Sequence, residues 1–414
     1  MKKQVVQTFA ITGVLLTLGA GSAHAQFSLL HSFTGGADGA SPYYGAPVVS
    51  GSEIFGAANL GASGGGVVFS VNTDGSSYDV LHTFSSVAPD GYQPLGSVAL
   101  SGSTLYGTTY YGGSGNGTAG NGAVFALNTD GSGYRTVYSF SSSSGYKPYG
   151  TVTVSGSTLY GTTYYSGAAG GLGSIYSVNS DGSGYTTLHT FVGGATDGSR
   201  PLGGALTVSG STVYGTTVHG GTGSSGATDG VAFRIGTDGS GYSDLVNFTG
   251  GSAGANPYGA LTLAGGKLYG MTRIGGSAND GTIFSVNADG TGFTTIYTFT
   301  GGATDGANPN GGLTLEGSTL FGTTKAGGSA GKGAVFEINL DGSGFNVLYN
   351  FTGGSDGANP VGDLAFANDA LYGWTSAGGD SGKGTLFALA VPEPSVFALA
   401  GCGFALALSW RRNS

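Results

Sequence analysis

The chain has 414 residues, of which 87 are glycine, only 8% are charged and 11% are aromatic. Glycine at this level without a Gly-X-Y period excludes collagen, and its regular spacing between apolar segments reads as turns rather than disorder. Over residues 26–391, nine basic side chains stand against 21 acidic ones, a net charge of −12, which argues against nucleic acid and anionic lipid as partners.

The first 25 residues have the zones of a secretory signal peptide. Lys2 and Lys3 open it, an apolar run follows from Phe9 to Ala20, and Ala23 and Ala25 supply small residues at the recognition positions. The expectation is export and cleavage before Gln26. The single cysteine, Cys402, falls near the C-terminus. The exported body therefore has neither disulfide nor thiol chemistry and depends on packing for its stability.

From residue 26 onward the sequence repeats. An aliphatic-aromatic-glycine triplet recurs seven times, at Ile54-Phe55-Gly56, Leu105-Tyr106-Gly107, Leu159-Tyr160-Gly161, Val213-Tyr214-Gly215, Leu268-Tyr269-Gly270, Leu320-Phe321-Gly322 and Leu371-Tyr372-Gly373. A second aromatic follows in each unit, at Phe69, Phe125, Tyr176, Phe233, Phe284, Phe336 and Phe387. The unit that begins at Pro257 splits into segments of strand character at 260–263, 267–272, 282–287 and 293–299. In the last, Phe293, Thr295, Tyr297 and Phe299 share one side and Ile296 breaks the alternation. The joining turns are rich in Gly and Asp, as tight hairpins require.

Four short antiparallel strands per unit at this period predict a seven-bladed, all-β propeller over residues 26–390. Blades are expected at 42–84, 94–140, 148–191, 201–248, 257–299, 309–351 and 360–389. Each opens with a proline, at Pro42, Pro94, Pro148, Pro201, Pro257, Pro309 and Pro360, whose fixed φ suits a turn into the innermost strand. The last unit lacks a fourth segment, and residues 27–33 match one. The N-terminal strand is therefore expected to complete the last blade and leave no edge; an open solenoid would need no such complementarity. Tyr106, Tyr160, Tyr214, Tyr269 and Tyr372 are expected between blades. Through LYGTT, the VF segment, NxDGSG and the LHxF segment, these units resemble the GloVer tandem repeats of bacterial surface proteins, a likeness that implies no established activity.

Chemistry is harder to find. His31, His82 and His189 occupy one position in different blades, where others carry Tyr or Val, which reads as packing rather than ligation. Asp74, Asp130, Asp181, Asp238, Asp289 and Asp341 belong to NxDG hairpins, and Asp38, Asp197, Asp305 and Asp356 to the connections before the prolines, where turn capping explains them. No HExxH, closely spaced ligand set or phosphate-binding loop is present, so no catalytic residue and no cofactor is expected. Calcium is the one metal that Asp, Asn and glycine carbonyls could suit, through single carboxylates per turn. Second-to-third-strand loops and blade-to-blade connections must emerge on one face, and they are the long, variable ones. Tyr110, Tyr111, Tyr164, Tyr165, His219, Arg273 and Lys325 are the candidate ligand contacts there.

After Val391 the chain reads Pro392-Glu393-Pro394, an apolar stretch over 395–410, then Arg411-Arg412. This order resembles the PEP-CTERM sorting signal recognised by an exosortase in Gram-negative bacteria. The likeness implies a transient transmembrane helix in the inner membrane and removal of residues 391–414 as the protein reaches the cell surface or extracellular matrix. The expected function is that of a noncatalytic surface or matrix protein, with exopolysaccharide or another envelope component as partner. Alternatives are an extracellular polysaccharide hydrolase, which needs two carboxylates about 5–9.5 Å apart in a pocket, and a purely structural coat.

Overall fold

The computed structural model describes residues 25–391, apart from 62–63, 116, 118–119, 168–170, 203 and 223–228. The body of the expected signal peptide and the sorting residues Pro392, Glu393, Pro394, Arg411 and Arg412 lie outside the described residues. The expectation of a transmembrane helix is corrected: among the described residues no helix is long and apolar enough to cross a membrane. The reason is local. Glycine and alternating β-branched residues build short strands, and the 3-10 turn Gly251–Ala253 is only three residues long.

The strands form a seven-bladed β-propeller. In the fifth blade Thr262–Ala264, Lys267–Thr272, Thr282–Asn287 and Thr294–Thr298 pair antiparallel in that order. The second and third strands match the expected segments, the first begins two residues later, and the fourth is one residue shorter at each end. The seventh blade takes Ala365–Ala367, Ala370–Ala377 and Thr385–Ala390 from the C-terminal part and Gln26–Ser32 from the N-terminal part. Gln26 pairs with Ala390 and Ser32 with Thr385. Phe27 stacks on Tyr349 of the sixth blade, with ring centres 4.3 Å apart, so the closing strand is fixed on both sides.

The repeated aromatics fill the spaces between blades. Tyr106 of the second blade packs with Leu159 and Tyr176 of the third, and Tyr214 of the fourth with Leu268 and Phe284 of the fifth. The glycine after each such aromatic lies opposite the third-strand aromatic, as with Gly270 and Phe284. A Cβ at Gly270 would stand 2.6 Å from Phe284 Cζ, so the missing side chain is what lets the ring cross the strand.

The break in alternation at Ile296 is a β-bulge. Ile283 pairs with Tyr297 and Phe284 with Thr295, leaving Ile296 without an opposite residue. Equivalent register shifts skip Leu30, Leu81, Val137, Leu188, Leu245 and Leu348. The bulge turns the aliphatic residue toward the next blade, where the NxDG glycine meets it: a Cβ on Gly342 would lie 2.7 Å from Ile296 O, and one on Gly75 2.9 Å from Leu30 O. One extra residue per outer strand and one glycine per hairpin thus join neighbouring blades.

The long-loop face is more ordered than the sequence suggests. The chain before the proline pairs with the continuation of the second strand, as in Gly91–Tyr92 with Tyr111–Gly112, Gly198–Ser199 with His219–Gly220, and Gly306–Ala307 with Ala326–Gly327. In the third and seventh blades the proline itself ends a short edge strand, Tyr146–Pro148 and Ala358–Pro360, where its missing N–H costs no ladder bond.

Candidate functional site

The centre of the ring is narrow because it is lined by glycine. A Cβ on Gly96 would meet Gly150, one on Gly204 would meet Gly259, and Gly259, Gly311, Gly362 and Gly45 follow in the same relation around the circle. Threonines of the first strands tie the circle together: Thr153 Oγ1 donates to Leu206 O, and the equivalent Thr207, Thr262 and Thr314 donate to Leu261, Leu313 and Leu364. Inside it, the Asp363 carboxylate accepts the Gly312 N–H. Burial pushes the Asp363 carboxyl above the usual carboxylate range, and that one hydrogen bond only partly opposes it.

The mouth of this channel on the long-loop face is shaped by an unusual backbone. All seven residues before the prolines, Ser41, Gln93, Lys147, Arg200, Asn256, Asn308 and Asn359, have φ between 50° and 59°, a region that side-chain-bearing residues seldom adopt. Hydrogen bonds hold them there. Lys147 N donates to Asn121 O and Arg200 N to Leu172 O in the preceding blade, while Tyr110 N and Arg273 N donate to Gln93 O and Asn256 O. The turn brings the residue before each proline beside the residue that follows the second strand's paired threonines.

Four of the sequence-derived contacts meet here. Tyr110 packs edge-on against Tyr111 at 4.6 Å, and Tyr164 against Tyr165 at 4.5 Å. Tyr149 bridges the two pairs, 5.6 Å from Tyr110 and 6.0 Å from Tyr164, and Tyr146 stacks on Tyr165. Lys147 Nζ lies 3.6 Å from the centre of the Tyr111 ring and Arg200 lies 5.5 Å from that of Tyr164, contacts worth about 0.5–1 kcal/mol each at half-exposed sites. Burial first, then neighbouring phenols, raises the Tyr110 hydroxyl above its ordinary range and Tyr149 to about 12, so both stay neutral donors at physiological pH. Arg273 lies over Tyr258, 5.4 Å from its ring centre, and Tyr258 is in turn an electrostatic neighbour of Tyr149 and Tyr44.

His219 lies in a two-stranded ribbon of the fourth blade, paired with Ser199. Lys325 joins Arg273 through Asn308, whose N–H and carbonyl neighbours link the two blades. The sequence reading misses Tyr149, Tyr258, Lys147 and Arg200. The signal was available in the Pro-Tyr-Gly of Pro148–Gly150 and Pro257–Gly259 and in the cation before a proline, but nothing local says that such residues face the channel.

The three histidines, read from the sequence as packing, pair with aspartates of the connections, two of them, Asp38 and Asp197, read there as turn caps and the third, Asp90, not singled out. Nε2 of His31, His82 and His189 lies 3.2, 3.1 and 3.0 Å from Asp38, Asp90 and Asp197. Each imidazole also stacks on an aromatic of the next blade, Tyr78, Tyr134 or Tyr242. The second carboxylate oxygen of Asp90 and of Asp197 accepts a backbone N–H from the same connection. The His–Asp pair thus locks an outer strand to its loop, and Tyr349 does the same with Asp356 at 3.1 Å. Burial lowers the His31 imidazole, against the opposing pull of Asp38. Burial acts to raise Asp38, but hydrogen bonds from Thr34 and His31 outweigh it and leave the carboxyl lowered. Both shifts remove stability as acid is added: His31 resists protonation below 6.5, and the Asp38 contribution is lost as pH falls through its depressed folded value.

In the NxDG hairpins, Oδ1 of Asp74 accepts the Ser76 N–H and hydroxyl, and the motif repeats at Asp130, Asp181, Asp238, Asp289 and Asp341. Among the described residues no group of three or more His, Cys, Asp or Glu is placed to hold a metal. Two surface depressions lie on the outer edge and the hairpin side. One is lined by Pro89 and residues 134–139, the other by residues 211–212, 234–238 and 240–241. Neither brings two carboxylates together.

Fold and site together define a closed propeller with an aromatic, cationic mouth on its long-loop face. The chain belongs to the Gloeobacter/Verrucomicrobia repeat family, whose model matches residues 10–228 and 223–400. No curated protein matches it. Among solved structures, an oligogalacturonate lyase in complex with manganese is similar at 13% identity and a TM-score of 0.57, covering 90% of this chain and 95% of that one. A chain of a nidogen/laminin complex is similar at 15% identity and a TM-score of 0.41, covering 61% and 82%. TolB from Acinetobacter baumannii is similar at 14% identity and a TM-score of 0.41, covering 72% and 63%. At these identities the lyase likeness shows the fold alone.

The raised Asp363 carboxyl gives a signed prediction. An acid whose folded pKa lies above its unfolded value costs stability once pH rises past the unfolded value, 3.8. Asp363→Asn is expected to melt at a higher temperature than the parent at pH 7, with the gain vanishing below pH 3.8. A gain that is independent of pH, or a loss at pH 7, would contradict the burial of an ionisable group.

Proposed function

We propose that this is an exported surface or extracellular-matrix protein that binds saccharide, without catalysis, through the long-loop face. The observation that carries the reading is the tyrosine platform of Tyr110, Tyr111, Tyr149, Tyr164 and Tyr165, half-buried and braced by Lys147 and Arg200. Such rings offer apolar faces to the C–H surface of a sugar and hydroxyls to its oxygens, and a rigid ring scaffold holds them with little ordering cost on binding. A noncatalytic role is supported by the duties of the acidic and imidazole groups. The His–Asp pairs bind loops to outer strands, and the hairpin aspartates cap their own turns.

The leader over residues 1–25 and the Pro392-Glu393-Pro394 motif with Arg411-Arg412 support export followed by processing by an exosortase. The partner is then an exopolysaccharide or another component of the envelope of the producing cell.

Two measurements test this reading. The full chain is expected to bind the exopolysaccharide of its producing cell saturably, with or without calcium, and Tyr110→Ala combined with Tyr164→Ala should weaken binding about tenfold or more, a loss of about 1.4 kcal/mol, at unchanged fold by circular dichroism. Absence of saturable binding by the folded chain would overturn the saccharide reading. The intact mass of the protein recovered from outside the cell should lack both ends; retention of residues 392–414 would overturn the sorting reading.

A further inference from the structure

The charge at the mouth runs against that of the rest of the body. Three positions per blade surround it: the residue before the proline, the one after it, and the one after the paired threonines. Across seven blades these positions hold Lys147, Arg200, Arg273 and Lys325 and not one Asp or Glu, although residues 26–391 carry a net charge of −12. Among the described residues none of these four cations makes a salt bridge with a carboxylate.

Arg273 and Lys325 make the sharpest case. They occupy equivalent positions in adjacent blades, linked through Asn308, whose Nδ2 donates to Arg273 O at 3.2 Å and whose carbonyl accepts the Lys325 N–H. Both side chains are half-buried. Burial first, and then the charge of Arg273, lowers the Lys325 ammonium. Arg273 is also short of acceptors: its Nε is buried with none, and Nη1 reaches only the Tyr258 hydroxyl at 3.5 Å. A guanidinium in that state is complementary to an arriving carboxylate.

We propose that the channel mouth selects an acidic polysaccharide, one bearing uronate carboxylates, with Arg273 and Lys325 holding a carboxylate while Tyr258 and the Tyr110–Tyr164 platform stack on sugar rings. This rests on the saccharide reading above and names its ligand class. The cations are few and discontinuous around the mouth of an acidic body. That arrangement suits sparse carboxylates on a sugar chain better than the closely spaced phosphates of a nucleic acid, which need a continuous basic track.

The test measures binding of the full chain to polygalacturonate, alginate and hyaluronan, each beside its methyl-esterified, uncharged form, with single-stranded DNA as a second polyanion. At least one charged polymer is expected to bind about tenfold tighter than its ester, with affinity falling as salt rises. Arg273→Gln with Lys325→Gln should bring the charged form down to the level of the ester, and Arg273→Lys should keep most of the preference. Equal binding of charged and esterified forms would overturn the charge selection and leave the saccharide reading standing. Failure of every polymer, charged or esterified, to bind the folded chain would overturn both. DNA binding as tight as the best uronate polymer would overturn the saccharide class.

Discussion

The antiparallel pairing of Gln26–Ser32 with Thr385–Ala390 is the contact on which the remaining structure depends. Without it the seventh blade has an open third strand, and Leu30 is no longer there to meet Gly75 of the first blade. The central circle would also lose the constraint that holds Gly362 against Gly45. Every other blade is built from contiguous sequence and makes local contacts, so this one pairing across the length of the body converts seven small sheets into a closed ring. The mouth is built at the inner rim of that ring, and its geometry is only as fixed as the closure.

Closure also explains why the centre is narrow. Glycine in the turn after the proline lets neighbouring first strands approach backbone to backbone, as between Gly96 and Gly150, and Asp363 reaches the Gly312 N–H of the neighbouring blade. A ligand that meets this face therefore lies across the mouth. Under the proposed reading a saccharide would meet side chains of several blades, with Tyr110, Tyr149 and Tyr164 from the second and third and Tyr258, Arg273 and Lys325 from the fifth and sixth.

Much of the architecture is legible in the sequence because each blade must solve the same packing problem. The aromatic-glycine pair of Tyr269 and Gly270, the hairpin of Asp289 and Gly290, and the unmatched segment at 27–33 each carry a physical requirement that only this arrangement meets. The break at Ile296 is visible as an irregularity, yet its meaning, a bulge that reaches the next blade, depends on a contact to Gly342 some 46 residues away. The site is less legible for the same reason. Tyr110 and Tyr164 stand out as exposed loop aromatics, whereas Tyr149 and Tyr258 follow prolines in what reads as a structural turn. The His189–Asp197 pair is hidden because packing and capping each account for one partner alone.

Strained turns before the prolines connect these observations to function. Seven residues hold positive φ through hydrogen bonds to two different loops, and two of the seven, Lys147 and Arg200, use that turn to lay a cation over tyrosines contributed by the preceding blade. Backbone strain repeated at every blade is the cost of presenting a ring of side chains toward one point. If saccharide is held at that mouth, as proposed, hydrogen–deuterium exchange of the full chain with and without bound polysaccharide tests it directly. Protection is expected around residues 110–112, 146–149, 164–165, 256–258 and 273, with hairpins such as 128–133 unchanged. Protection confined to the hairpin face or the outer strands would contradict the account.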